Sequence, residues 1–396
     1  MTPLALTHLT ATSSIGRGLA ETLQSLTDLR SGLAPCTFET VRLETHVGEV
    51  PGLDEVRLPP GLARFDSRNN RLALLGLSQD GFIEAVAGCA GRWGRHRVGL
   101  FLGTSTSGIL ETEIAYRHRE PGGALPAGFD YAGTHNAYAL AAFVRRVLAI
   151  EGPAAVTCTA CSSSAKVFGS AQRMIEAGLI DAAVVGGVDS LCLTTLYGFH
   201  SLQLVSRTPC RPFDVERDGI SIGEAAAFVL LERPAAAAPA GTIVLTGLGE
   251  SSDAWHMSSP HPQGLGAREA MRQALASASL EPPDIDYINL HGTGTQSNDR
   301  AEGHAVSAVF GARIAASSTK GATGHTLGAA GALEAVFCAL ALRHGFAPGG
   351  LSTSRPDPAV EFDYLRENRR QGLRRVLSNS FGFGGSNCAL VLERAG

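Results

Sequence analysis

Lysine is almost missing from this chain of 396 residues: among its 33 Lys+Arg only Lys166 and Lys320 are lysines. Arginine cannot supply a titratable amine, so each lysine is weighed for chemistry, and for Lys166 chance is the better account. Positive charge is also lacking. A net charge of −4 gives no global reason to expect nucleic-acid binding. Long apolar runs are missing: Ala332–Leu342, with Glu334 inside it, is too short to cross a bilayer. The opening MTPLALTHLTATSSIG has no basic start and no long apolar stretch, so a secretory signal is not expected. These gaps predict a soluble, cytoplasmic protein with no membrane insertion. Eight cysteines are too few for a disulfide scaffold in so long a chain, which favours a reducing compartment. Cys89, Cys192, Cys338 and Cys388 stand in apolar contexts and read as small core residues. No second C-x-x-C accompanies Cys158 and Cys161, so no metal is expected.

What is present is an ordinary globular composition, 44% hydrophobic and 18% charged, rather than a disordered one. Short apolar runs ended by glycine or polar residues suit strands covered on both faces. They fall at Arg97–Gly103, Ala154–Thr157, Ala182–Gly187, Ala226–Leu231, Thr242–Leu248, Ile285–Leu290 and Cys388–Leu392. Helical patterns lie between them at Ser164–Ala177, Ala267–Ala278, Asp299–Phe310 and Ala329–His344. The alternation predicts an α/β architecture. Arg233–Gly241 (RPAAAAPAG) resembles a linker and divides the chain into 1–235 and 242–396. Each part offers a strand, a turn of small residues and a helix.

Four segments carry chemistry. In VTCTACSSS, Cys161 falls at or near a helix start, where amides and dipole favour a thiolate. A buried structural cysteine is the bland alternative, and a redox dithiol with Cys158 is a second reading. In NLHGTGT, His291 ends a strand, where α/β folds place their sites, although a turn histidine bonded to backbone is about as common. STKGATGHTLGAAG lacks the order of a nucleotide-binding P-loop. It places Lys320 and His325 in one loop, able to cluster with Glu334 on the next helix. The bland reading of Glu334 is a solvated face, but its neighbours are apolar and a buried carboxylate needs a partner. In NSFGFGGSN, before the last strand, flexible backbone carrying Phe383 suits a gate or an oxyanion site. An aromatic-plugged turn is the alternative.

These segments, with RPFDVERDGISIGEAAAFVLLER (Arg211–Arg233) and DAWHMSSPHPQG (Asp253–Gly264), resemble the elongating, Cys-His-His kind of β-ketoacyl synthase. The resemblance runs from about Arg97 to the C-terminus. It implies the thiolase fold, two similar α/β halves in five layers, α-β-α-β-α. It implies that Cys161 takes an acyl chain from acyl carrier protein, and that His291 and His325 hold a malonyl thioester as it loses carbon dioxide. Lys320 would pair with Glu334 and orient the His325 loop, and Asp299 and Glu302 would support the site. The amides of Cys161 and Phe383 would form the oxyanion hole, with Phe381, Gly382 and Phe383 as the gating segment. By weaker analogy Ser107, Gly108 and Ile109 would line the acyl pocket.

Partners follow. Acidic carrier proteins call for a basic entrance, for which Arg64, Arg68 and Arg71, at helical spacing, and Arg207 are named; ordinary solvated arginines are the alternative. The resemblance implies a homodimer, or a heterodimer with a homologue like a chain-length factor, and no cofactor. Parts of the N-terminal wording, DSRNNRLALLGL and GTSTSGI, are similar to synthases of secondary pathways such as aryl-polyene assembly. Three rivals fit less well. A thiolase needs a second cysteine in the GFGGSN loop, a starter-type enzyme has asparagine where His325 stands, and a chain-length factor lacks the nucleophile.

Overall fold

The computed structural model describes residues 1–234 and 239–396; the centre of the alanine-rich linker lies outside the described residues. Ten strands form the frame. They are β1 (Leu4–Ser13), β2 (Val98–Gly103), β3 (Ala154–Thr157), β4 (Ala182–Asp189) and β5 (Ala225–Glu232) in the first part. In the second they are β6 (Ile243–Ser252), β7 (Tyr287–Asn289), β8 (Ala315–Ser317), β9 (Arg375–Gly382) and β10 (Ser386–Arg394). The spatial order in the first part is β1-β5-β4-β2-β3 and in the second β6-β10-β9-β7-β8. Each is the same permutation of its own chain order. In both, the last strand runs antiparallel to its two neighbours and the other four share one direction. The two join where β1 pairs with β6, Leu4 opposite Leu245. The fold is therefore thiolase-like, an α/β repeat built twice.

Seven helices complete the layers: α1 (Arg68–Leu77), α2 (Phe82–Trp93), α3 (Ala137–Val147), α4 (Ser163–Glu176), α5 (Leu265–Ala278), α6 (Gln296–Phe310) and α7 (Ala330–His344). Helices α1–α3 cover the outer face of the first sheet and α5–α6 that of the second; α4 and α7 lie between the sheets. Residues 330–342 of α7 are buried on every side, which explains why this helix is apolar all round. The stretch Leu327–His344 is long and apolar enough to cross a membrane, and 89% of it is buried inside the protein.

Three strands lay outside the sequence reading, among them the short β8 (Ala315–Ser317). β1 was not expected, and β9 carries Ser378–Gly382 of the segment read as a flexible loop. Only Phe383–Gly385 is a turn, a short 3-10 element between two paired strands. Phe381 and Gly382 are thus fixed by ladder hydrogen bonds, opposite Asn387 and Ser386.

Candidate active site

Cys161 stands in the one-turn 3-10 element Ala160–Ser162, between β3 and α4. Ala160 has φ +51, a left-handed conformation unfavourable for a side-chain-bearing residue, which sharpens the turn. Neighbouring hydroxyls hold it: Ser162 Oγ donates to the Thr159 carbonyl at 2.9 Å, and Ser163 Oγ accepts from Thr159 N at 2.9 Å. β9 ends against this turn. A Cβ on Gly382 would lie 2.5 Å from the Thr159 carbonyl oxygen, so only glycine lets the strand pass.

The second half delivers the histidines. His291 follows β7, and its loop hangs on two buried carboxylates. Glu302 accepts from His291 N at 2.8 Å, Gly292 N at 2.7 Å and Asn379 Nδ2 at 3.1 Å. Asp299 accepts from the Thr293 and Phe213 amides at 2.9 and 2.8 Å. His325 is pinned by the first half: its amide donates to Ser221 O at 2.7 Å and its carbonyl accepts from Gly223 N at 3.0 Å. Its Nε2 lies 3.0 Å from Cys161 Sγ, and the two imidazoles stand edge to face with centroids 5.2 Å apart. Lys320 Nζ donates to Glu334 Oε1 at 2.5 Å and to the His291 carbonyl at 2.6 Å, and lies 3.5 Å from His291 Nδ1.

Burial sets the charge states. It lowers the pKa of His291 and His325 well below the ordinary imidazole value, and the Lys320 ammonium adds to this, so both rings are neutral at pH 7. Burial pushes the Glu302 and Glu334 carboxyls up to about 7, in Glu334 against the opposing Lys320 charge. The Cys161 thiol is pushed up to about 12 by burial, despite Lys320 and the N–H groups of Phe383 and Cys161 that reach its sulfur. The position at a helix start is as expected, but the direction is not: desolvation outweighs the dipole, and the resting group is a thiol. Sγ and the two ring nitrogens lie within 4.8 Å of one another, a spacing a soft cation would also fit; the Lys320 ammonium beside them opposes a second cation.

A cleft enclosing about 50 Å³ leads to Cys161 between Phe199, Ile220, Thr293, Thr295 and Phe383. Phe383 packs on Phe199 with centroids 5.6 Å apart, and Phe381 on His291 at 5.8 Å. Ser107, Gly108 and Ile109 are not in its wall. Ser107 is buried with its hydroxyl 3.2 Å from the Asn136 carbonyl. Gly108 backs onto Thr134, and Ile109 packs in an apolar cluster with Phe38, Leu191 and Leu196 that reaches the cleft through Phe199 and Ile220.

The arginines divide. Arg64 and Arg207 are exposed, Arg64 bonded to Asp130 at 3.0 Å. Arg71 is half-buried against Asp66 at 2.6 Å. Arg68 is a correction: only 5% exposed, it is locked to Glu224 at 2.7 Å and to Asp54 at 2.7 Å, and cannot present its charge on a surface. Arg64, Arg68 and Arg71 are not at one helical spacing, because Arg64 lies in a separate 3-10 element, Pro60–Phe65. Cys158 is exposed, and both it and Cys161 are free thiols. Sequence reasoning missed three fully buried acids, Asp214, Glu224 and Asp189, the last two outside any polar context. The available signal was a single carboxylate set in an otherwise apolar run, in SIGEAAAF and AAVVGGVD.

Residues 82–237 match the family model described as Beta-ketoacyl synthase, N-terminal domain, and 242–354 the one described as Beta-ketoacyl synthase, C-terminal domain. The chain is 40% identical over 259 residues to the mitochondrial 3-oxoacyl-[acyl-carrier-protein] synthase of Arabidopsis thaliana, 61% of this chain and 56% of that protein. It is 32% identical over 311 residues to 3-oxoacyl-[acyl-carrier-protein] synthase 2 of Staphylococcus aureus, 75% of each. Against the Arabidopsis protein and two bacterial relatives of similar identity, the match spans 56–63% of the relative's length, less than two thirds. Among solved structures, a ketosynthase in complex with its chain length factor from Xenorhabdus doucetiae is 38% identical, with TM-score 0.90 over 100% of this chain and 98% of that one.

Proposed function

We propose that this chain, which belongs to the β-ketoacyl synthase family, condenses an acyl group carried on Cys161 with malonyl carrier protein, giving 3-oxoacyl carrier protein. The observation that carries the reading is the 3.0 Å contact between Cys161 Sγ and a neutral His325, with a second neutral imidazole beside it.

In loading, the Cys161 sulfur attacks the thioester carbonyl of acyl carrier protein as its proton passes to His325 Nε2. The amides of Cys161 and Phe383 receive the developing oxyanion. The pantetheine sulfur leaves and takes the proton back from His325. In condensation, the malonyl thioester carbonyl accepts hydrogen bonds from Nε2–H of His291 and His325. Carbon dioxide departs, and its bonding electron pair becomes the enolate that the two donors stabilise. The enolate carbon attacks the acyl-Cys161 carbonyl, and the Cys161 thiolate leaves and takes one proton from water, which restores the resting thiol. Lys320, a donor beside His291 Nδ1, favours the Nε2–H tautomer there. His325 Nδ1 is buried without a hydrogen-bond partner among the described residues, so neither tautomer of that ring is locked. The same ring then suits proton acceptance in loading and donation in condensation.

The halves 1–235 and 242–396 divide this work, nucleophile in one and imidazoles in the other. Glu302 and Asp299 hold the His291 loop, and Glu334 balances Lys320. Phe383 gates the cleft, and Ile109 backs the acyl site through the apolar cluster it shares with Phe199 and Ile220. Arg64 and Arg207, both exposed, suit an acidic carrier protein. The setting is fatty-acid or polyene chain elongation in the cytoplasm, by a homodimer or with a chain-length-factor-like homologue. The ketosynthase of Xenorhabdus, which is solved with its chain length factor, supports the second arrangement.

Intact-mass measurement tests the assignment. Wild-type protein should gain one acyl group from acyl carrier protein and Cys161→Ala none. Normal elongation by Cys161→Ala overturns it.

A further inference from the structure

Asp189 closes β4 and is fully buried. Its carboxylate accepts six hydrogen bonds. Oδ1 takes Thr104 Oγ1 at 2.6 Å, Ser105 N at 2.8 Å, and Thr106 N and Oγ1 both at 2.9 Å. Oδ2 takes Ser105 Oγ at 2.5 Å and Gly328 N at 2.6 Å. The hydroxyls donate, because a carboxylate has no proton of its own to give, and each hydroxyl accepts an amide in turn. Ser107 N donates to Thr104 Oγ1 at 3.0 Å, Ser190 N to Thr106 Oγ1 at 3.2 Å and Gly328 N to Ser105 Oγ at 3.3 Å. All six partners are therefore donors.

The partners come from both halves. Thr104–Thr106 follow β2, whereas Gly328 is three residues past His325. The contact is close: a Cβ on Gly328 would lie 2.8 Å from Asp189 Oδ2 and 2.9 Å from Ser105 N. Beyond its pinning by Ser221 and Gly223, the His325 loop is thus held at its far end by one carboxylate. A buried acceptor serving six donors cannot be removed without leaving several of them unsatisfied.

We propose that Asp189 is a positioning residue that staples the His325 loop of the second half to the Thr104–Thr106 loop of the first and so sets the Cys161–His325 distance. This rests on the reading of Cys161 and His325 as the reacting pair. Asp189 has a second consequence through its charge. Lys320 and Asp189 act on the Cys161 sulfur, with His325 and His291 beside it and Asp253 lining the same cleft. Asp189 opposes the thiolate that Lys320 favours.

Asp189→Asn is the test, read in two ways. Alkylation of Cys161 by iodoacetamide, read by peptide mass so that the exposed thiol of Cys158 is counted apart, should show its pH midpoint moving down, hence about tenfold faster labelling at a fixed pH below it. Decarboxylation of malonyl carrier protein, which needs His325 in place, should fall by about 100-fold. A residue of purely structural importance would lower thermal stability and leave the alkylation midpoint where it was; that result overturns the proposal, as does wild-type decarboxylation. Should Asp189→Asn fail to fold, Ser105→Ala with Thr106→Val removes donors but keeps the charge. Slower decarboxylation with an unmoved midpoint then supports the staple, and wild-type rates overturn it. If the wild-type protein neither loads nor decarboxylates, the condensing function fails, while the alkylation shift still reports on Asp189.

Discussion

Cys161, His291 and His325 share one property, burial, and it acts on them in a common direction, toward neutrality. For the imidazoles this has a sign that can be checked. A lowered pKa means that the neutral ring persists as pH falls through its ordinary 6.5, and that protonation begins only well below it. The ring nitrogens of His291 and His325, followed by NMR, should therefore take up no proton between about pH 8 and about pH 6, the window in which Glu302 and Glu334, pushed up to about 7, do titrate. Protonation of either ring with a midpoint at the ordinary histidine value would show the rings to be solvated. The same shifts bear on stability. The folded protein binds fewer protons at these sites than the unfolded chain once the pH drops below 6.5, so stability falls with further acidification.

Lys320 and Glu334 form an almost fully buried pair. Removing one partner leaves the other charge in the interior, which costs about 3–5 kcal/mol. Lys320→Met should show that loss in urea unfolding. Lys320→Met with Glu334→Leu should recover most of it, since a well-packed apolar pair is often no less stable. Activity should stay low in both, because the donor beside His291 is gone. Recovery of activity in the double variant would mean that the ammonium has no part in the chemistry.

At the scale of elements, α4 and α7 cross between the sheets, and small residues set how closely. A Cβ on Gly331 would lie 2.7 Å from both the Cβ and the amide nitrogen of Ala165. Gly331→Ala should destabilise by about 1–3 kcal/mol as the helices part. An unchanged denaturation midpoint would show that the crossing has slack. The elements around this crossing were legible in the sequence to within a few residues, because runs such as AAVVGG and GALEAVFCALAL are apolar on every face. β1 was not legible. Its LALTHLTATS interleaves threonines and a histidine, and the buried threonines find their reason only in the assembled sheet, as where Thr10 Oγ1 donates to the Gly76 carbonyl. β9 was hidden because glycine and asparagine in NSFGFGG carry turn signals, and the antiparallel pairing of Asn379–Gly382 with β10 overrides them. The site followed the same division. Cys161, His291, Lys320 and His325 sit in recognisable glycine-rich contexts. Asp189 and Arg68 declare their partners only when residues over 80 apart in sequence meet.

On the scale of the whole molecule, the two halves repeat one topology but do not have separate interiors. One hydrophobic core contains Leu4, Val185 and Leu231 from the first half and Ile243, Val336 and Leu390 from the second. α7, from the second half, packs against β5 and β4 of the first as well as β9 and β10 of its own. Cutting the chain at the linker would expose both inner faces, and α7 would lose one of the two sheets that cover it. Cys161 and the imidazoles would part as well, since His325 is pinned by Ser221 and Gly223. A fragment of residues 239–396 should therefore show no cooperative unfolding in urea alone and should acquire it when co-expressed with residues 1–234. Activity should return only in the co-expressed pair. A cooperative transition in the isolated fragment, at a midpoint near that of the full chain, would show that each half completes its own core and that the repeat is an assembly of two independent domains.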